Sequence, residues 1–161
     1  PLKQIATLNY GKALKAEVRV PGPFPVYGSS GEVGSHEKPL VKGPGIVVGR
    51  KGNVGSVYWV NTDFYPIDTV YFISAEESSL FLYHALQKVQ FINTDVAVPG
   101  LNRDMAYSRE ILVPDNKNHE RFLSEVTPIQ EQINKLQDYN NKLAQARDLL
   151  LPKLMSGELT V

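Results

Sequence analysis

The chain has 161 residues, with one Trp, eight Tyr and six Phe in a hydrophobic content of 42%. That suits one packed domain, or a smaller domain with an extended element, and argues against wholesale disorder. Seventeen basic residues balance 17 acidic ones, so net charge favours no class of partner and a positive field must come from segregated charges. The absence of cysteine excludes disulfides and thiolate metal sites. No apolar run approaches the ~18 residues of a membrane span, and no charged-then-apolar signal opens the chain, so a cytoplasmic protein is the default. The chain starts at Pro1 without an initiator methionine, which points to a processed product or an excised piece of something longer.

In chain order, Leu2 to Ala6 reads as a short helical or irregular start, followed by a basic loop around Gly11, Lys12 and Lys15. Val18 to Val20 is a predicted strand closed by Pro21, Gly22 and Pro23. Phe24 to Tyr27 is an extended piece ending in the turn Gly28, Ser29, Ser30, Gly31.

The stretch Gly43 to Gly55 is the most telling. A β-branched run (Ile46, Val47, Val48) is followed by Arg50, Lys51 and Asn53 among glycines, and the apolar run resumes as Val57, Tyr58, Trp59, Val60. Two apolar runs about a short Gly/Asn connection predict a hairpin. Its tip offers two cations and an amide, groups suited to phosphates and base edges. The alternative is a plain hairpin with solvated charges. The glycines do not fit a nucleotide fingerprint: Gly43, Gly45 and Gly49 carry one residue too many for G-x-G-x-x-G. Arg50 and Lys51 after Gly49 do not complete a phosphate loop either.

Thr69 to Ile73 is a predicted buried strand. Ser74 with Glu77 makes a capping box for a helix from Ala75 to about Val89, with Leu82, Leu86 and Val89 along one side. Pro99 and Gly100 break the chain before a last strand, Ile111 to Val113. Ten of the 12 glycines lie before residue 60, and after Pro114, Asp115 and Asn116 the composition turns to Gln, Asn, Leu and charges. We therefore divide the chain into an α+β, mostly-β domain over residues 1–116 and a long helix over 117–161.

In the helix, seam residues recur in steps of four and three: Phe122, Val126, Ile129, Ile133, Leu136, then Asn140, Leu143, Arg147, Leu150 and Leu154. With Val126 at a, Asn140 is also at a, where it fixes register at a cost in stability; Leu136, Leu143 and Leu150 are at d. This narrow seam predicts a coiled coil. Pro128 lies off the seam at c, where it kinks the helix or starts its main segment, and Pro152 is expected to end it. The alternative is a helix that packs on its own domain; the polar outer face (Glu131, Asn134, Lys135, Asp138, Asn141, Lys142) argues against it.

Catalytic machinery is not evident. There is no Asn-Pro dipeptide for an amino-methyltransferase motif, no Glu with Lys two places on for a metal-nuclease arm, and no G-x-S-x-G around Ser29 or Ser30. His36, His84 and His119 are scattered. The expectation is a protein that is not an enzyme and holds no metal.

Several stretches together resemble the specificity subunit of Type I restriction-modification enzymes: PFPVYGSSG (Pro23 to Gly31), GPGIVVGRKGNVGSVYWV with the later PIDTVYFI (Pro66 to Ile73), GLNR (Gly100 to Arg103) and RDLLLPKLMSGEL (Arg147 to Leu159). The likeness covers nearly the whole chain. It implies a target-recognition domain that reads one half of a bipartite double-stranded DNA site, followed by a spacer helix that docks other subunits. It also implies those subunits: modification subunits that methylate adenine with S-adenosylmethionine, and a restriction subunit that translocates and cuts with ATP and Mg. No cofactor is expected in this chain itself. The departure is size, since the family usually carries two recognition domains and two helices where this chain has one of each.

The expected DNA contacts are Lys12 and Lys15, Tyr27, Ser29 and Ser30, Arg50, Lys51 and Asn53, and Arg103. Lysines and hydroxyls suit phosphate oxygens, whereas Arg50 and Asn53 suit guanine or adenine edges. The expected homodimer seam is Phe122, Val126, Ile129, Ile133, Leu136, Asn140, Leu143 and Leu150. About thirty helical residues give roughly 45 Å between two recognition domains in an antiparallel pair. Two rival classes stay open: a β-type carbohydrate- or peptide-binding module on an oligomerising helix, and a structural coiled-coil adaptor.

Overall fold

The computed structural model describes residues 1–91 and 100–159. These fall into two compact units, Pro1–His119 and Glu120–Val161. Seven strands run through the first unit: β1 (Asn9–Tyr10), β2 (Phe24–Gly28), β3 (Gly31–His36), β4 (Gly45–Gly49), β5 (Val57–Val60), β6 (Tyr65–Pro66) and β7 (Val70–Ile73). The helices are α1 (Leu80–Lys88), α2 (Arg103–Tyr107) and the long α3 (Asn116–Met155), with short 3-10 turns at Leu2–Gln4 and Ala16–Val18. The fold class is α+β: sheets with a few short helices, then a long C-terminal helix.

One sheet has the order β1-β7-β4-β5 and is antiparallel throughout; the other has the order β3-β2-β6. The Gly43 to Val60 stretch forms the expected hairpin, with Ile46 opposite Trp59 and Val47 opposite Tyr58. Strand β4 lies between β5 and β7, and all five of its residues are buried. Successive side chains on a strand point to opposite faces, so β4 feeds two cores. Ile46 and Val48 join Leu2, Leu8, Tyr71, Ile73, Leu82, Leu86 and Leu101. Val47 joins Val41, Val60, Phe64 and Val70 on the other face. Burying each such side chain contributes about 1.5–3 kcal/mol. Gly45 is required here, because a Cβ would sit 2.7 Å from the Phe64 ring.

Several expected elements differ. Val18 to Val20 is not a strand: a 3-10 turn ends at Val18, Val18 and Val20 are exposed, and Arg19 donates to the carbonyls of Val33 (2.6 Å) and Leu14 (3.3 Å). The cap of α1 is Ser79, whose side chain accepts from Leu82 N (3.1 Å), rather than Ser74. Glu77 does not cap; its carboxylate accepts from the Thr7 N–H and hydroxyl, both at 3.0 Å, so a long-range contact wins over the local box. The expected face of α1 holds, with Leu82 and Leu86 buried and Val89 packed against them.

Residues 111–113 form no strand; Leu112 is exposed. The break placed at Pro99 lies outside the described residues. Strands β3 and β6 and helix α2 were not expected; α2 is capped by Asn102, which accepts from Asp104 N and Met105 N.

In α3, Asp115 caps the start by accepting from Asn118 N (2.8 Å). Both Pro128 and Pro152 lie inside the helix, which spans 40 residues, about 60 Å. Pro152 does not end it. Gly157, at φ 74°, follows the last turn, with its N–H donating to Leu154 O (3.2 Å). A left-handed glycine just past a helix is the usual stop. None of the residues of α3 is buried.

Candidate nucleic-acid interface

The connection between β4 and β5 is positive-φ glycine territory, with Gly52 at 77° and Gly55 at 76°. Its first two residues are held by the backbone. Arg50 N and Lys51 N both donate to Thr69 O, at 2.9 and 3.0 Å, and Arg50 O accepts from Leu101 N at 2.7 Å. Lys51 also forms a bridge to Gly100. These bonds lay the late loop beside the hairpin and bring Arg103, the first residue of α2, next to Arg50. Residues far apart in sequence become one site.

Tyr10, at the end of β1, completes it. The Arg50 guanidinium carbon lies 5.0 Å from the Tyr10 ring centroid and 5.8 Å from that of Tyr71; the Arg103 guanidinium carbon lies 4.9 Å from Tyr10. Both arginines are thus within the range of favourable cation–π attraction. Arg50 Nη1 also donates to Asp68 O (2.9 Å). Beneath them Tyr10 and Tyr71 are 5.1 Å apart, and the Tyr71 hydroxyl donates to Leu101 O (2.9 Å). Burial, with a hydrogen bond to Tyr10, pushes the Tyr71 phenol up to about 12, against the pull of Arg50. Tyr71 therefore stays a neutral donor and holds the loop down.

A concavity of about 170 Å³ opens here, lined by Tyr10, Arg50, Lys51, Tyr71, Asn102 and Arg103 among others. Among the described residues, no ion pair involves Arg50, Lys51 or Arg103. Three cations around one hollow, with no carboxylate among its described lining residues, make a place for an anion or for acceptor-rich base edges.

The other expected contacts are distributed differently. Tyr27 is half-buried, its ring 6.1 Å from Tyr58 and 6.2 Å from Phe64, and burial followed by Glu32 and Tyr58 raises its pKa. Ser29 is buried; its N–H donates to Thr69 Oγ1 (3.3 Å), and its carbonyl accepts from Ser56 Oγ (2.6 Å) and the Tyr58 hydroxyl (3.3 Å). Tyr27 and Ser29 thus tie the β2–β3 turn to the hairpin. Ser30 and Asn53 are exposed, and the Asn53 carbonyl accepts from Ser56 Oγ (3.0 Å). Lys12 and Lys15 are exposed on the loop after β1 and do not line the concavity.

Sequence reasoning missed Tyr10, Tyr71 and Asn102. The pattern Leu8, Asn9, Tyr10 carries a strand signal, yet nothing local pairs Tyr10 with Arg50. The histidines are spent locally: His36 Nδ1 accepts from Val20 N (3.1 Å), and His119 meets the Phe81 ring edge to face.

The first unit thus presents a cationic hollow on an antiparallel-sheet scaffold, and a long helix follows it in the chain. The chain belongs to the family described as the Type I restriction modification DNA specificity domain, whose model matches residues 1–145. The resemblance seen in the sequence is thereby borne out, and DNA recognition is the role of this family. The fold is similar to a crystal structure of a Type-I restriction-modification system S subunit from M. genitalium, at 19% identity and a TM-score of 0.70, over 96% of this chain and 44% of that one. A second similar structure comes from work on complex assembly and conformational transition of the type I R-M system, at 14% identity and a TM-score of 0.57, over 94% and 44%. The chain spans less than half the length of either. No curated protein matches.

Proposed function

We propose that this chain is the non-catalytic, sequence-reading component of a Type I restriction-modification system, recognising one half of a bipartite double-stranded DNA target. Arg50, Lys51 and Arg103 face the DNA. Ser30, Asn53, Lys12 and Lys15 extend the contact to flanking phosphates. The helix docks modification and restriction subunits, which carry S-adenosylmethionine, ATP and Mg, and the complex works in the cytoplasm. Two copies pair through Phe122, Val126, Ile129, Ile133, Leu136, Asn140, Leu143 and Leu150, so that a homodimer reads an interrupted palindrome and helix length sets the gap.

The observation that supports this reading best is the hollow lined by three cations with no ion pair among the described residues. Its test is duplex DNA binding at two salt concentrations. Phosphate neutralisation gives a log–log salt slope of about −0.9 per contact, so affinity should fall steeply between them. A flat slope, or preference for a neutral glycan or peptide over DNA, contradicts the proposal.

A further inference from the structure

The grouping of Arg50, Tyr10 and Arg103 is more specific than a basic patch, and its significance for base reading rests on this unit binding DNA. Arg50 is fixed at three levels. Its backbone is bonded to Thr69 and Leu101, its Nη1 to Asp68 O at 2.9 Å, and its guanidinium lies over Tyr10 and Tyr71. Arg103 starts a capped helical turn and reaches the same Tyr10 ring at 4.9 Å. Two like charges gathered about one aromatic ring repel each other, and no ion pair with a described carboxylate offsets them. Lys51 is different, since its backbone is tied but its exposed side chain makes no cation–π contact or hydrogen bond among the described residues that would orient it.

A phosphate can also take an arginine fork bidentately, but its oxygens accept from many directions, so the fork need not be held in one plane to bind it. A guanine edge presents O6 and N7 side by side in one plane and rewards a donor fork held in that plane. One Arg50 N–H is spent on Asp68, which leaves four of the five guanidinium donors to offer. We propose that Tyr10 is a positioning residue that holds Arg50 and Arg103 as two oriented forks. The patch then reads guanine edges in the major groove, and Lys51 takes backbone phosphate.

The experiment is selection of binding sites from randomised duplexes by the full chain, as wild type and as Tyr10→Leu, Tyr10→Phe and Arg50→Lys. Tyr10 is 49% exposed, so its replacement spares the core. The wild type should select guanine, and 7-deazaguanine, which lacks the N7 acceptor, should weaken the selected site roughly tenfold. Arg50→Lys keeps the charge and the salt slope but should flatten the preference at one guanine. Tyr10→Leu should flatten it there and at a second position. Tyr10→Phe, which keeps the ring face, should restore the wild-type profile.

Selected sites without guanine, indifference to 7-deazaguanine, or an unchanged profile for Tyr10→Leu overturns the proposal while leaving DNA binding intact. If the wild type selects no sequence at all, the DNA-reading role fails and the positioning role falls with it.

Discussion

The two units of this chain solve the same problem in opposite ways. The first, Pro1–His119, buries its apolar residues in two clusters on either face of β4. The helix α3 buries none of its own residues and exposes Ile129, Ile133, Leu136, Leu143 and Leu150. A sheet sandwiched by its own chain holds itself together. A single helix with an apolar seam and a polar outer face gains little from itself, since helical stability comes mostly from packing that seam. The proposed division between reading and assembly follows this contrast, and it can be broken from either side.

The largest effect is expected in the helix. Ile133→Asp combined with Leu136→Asp should abolish the proposed dimer, halving the mass seen by light scattering at micromolar concentration, while melting of the first unit stays unchanged. A wild-type chain that is already a monomer, with a mass indifferent to these changes, contradicts the seam. In the first unit, Phe64→Ala should cost about 3–5 kcal/mol in denaturant unfolding, because Phe64 is fully buried between Gly45, Tyr27 and Phe72. The dimer should survive it in any chain that still folds.

Within the first unit, reading and folding should separate again. Arg50→Ala should lose about 1–3 kcal/mol of DNA affinity and relax preference at one position, whereas Lys51→Ala should weaken all sequences alike and reduce the salt slope by about one. Smallest is the Tyr71 effect. Its folded-state pKa of about 12 lies above the ordinary 10.0, so its contribution to stability is whole below about pH 10 and is lost as pH rises towards about 12. Tyr71→Phe should cost about 1 kcal/mol below pH 10 through the bond to Leu101 and make the alkaline fall in stability shallower. Equal alkaline slopes for wild type and variant would remove Tyr71 from that role.

Local chemistry explains which parts were legible in the sequence. The β4–β5 hairpin was readable because its signal, two β-branched and aromatic runs about Gly52, Asn53 and Gly55, sits within one short stretch. Strand β7 and the Leu82–Leu86 face were readable for the same reason. Ser74 and Glu77 looked like a cap, but Glu77 is taken by Thr7 at the other end of the unit. Pro152 looked like a stop, yet the helix passes it and ends near Gly157.

The candidate site was legible by halves. Arg50, Lys51 and Arg103 stood out as cations in glycine- and asparagine-rich loops. That Arg50 and Arg103 share one ring, Tyr10, depends on pairing of β1 with β7 and on the bonds from Arg50 to Thr69 and Leu101, which no local pattern carries. Ser29 was expected at the surface because a serine between turn residues looks exposed; it is buried, and its carbonyl is a hub for Ser56 and Tyr58.

The division between a reading unit and a spacing helix is tested most directly by removing one heptad, residues 130–136, from α3 and determining the preferred DNA site. Seven residues at 1.5 Å rise shorten the helix by about 10 Å, close to three base pairs at ~3.4 Å each. The half-site sequence should stay the same and the gap between half-sites should contract by about three base pairs. A changed half-site, or an unchanged gap with DNA binding retained, would contradict it.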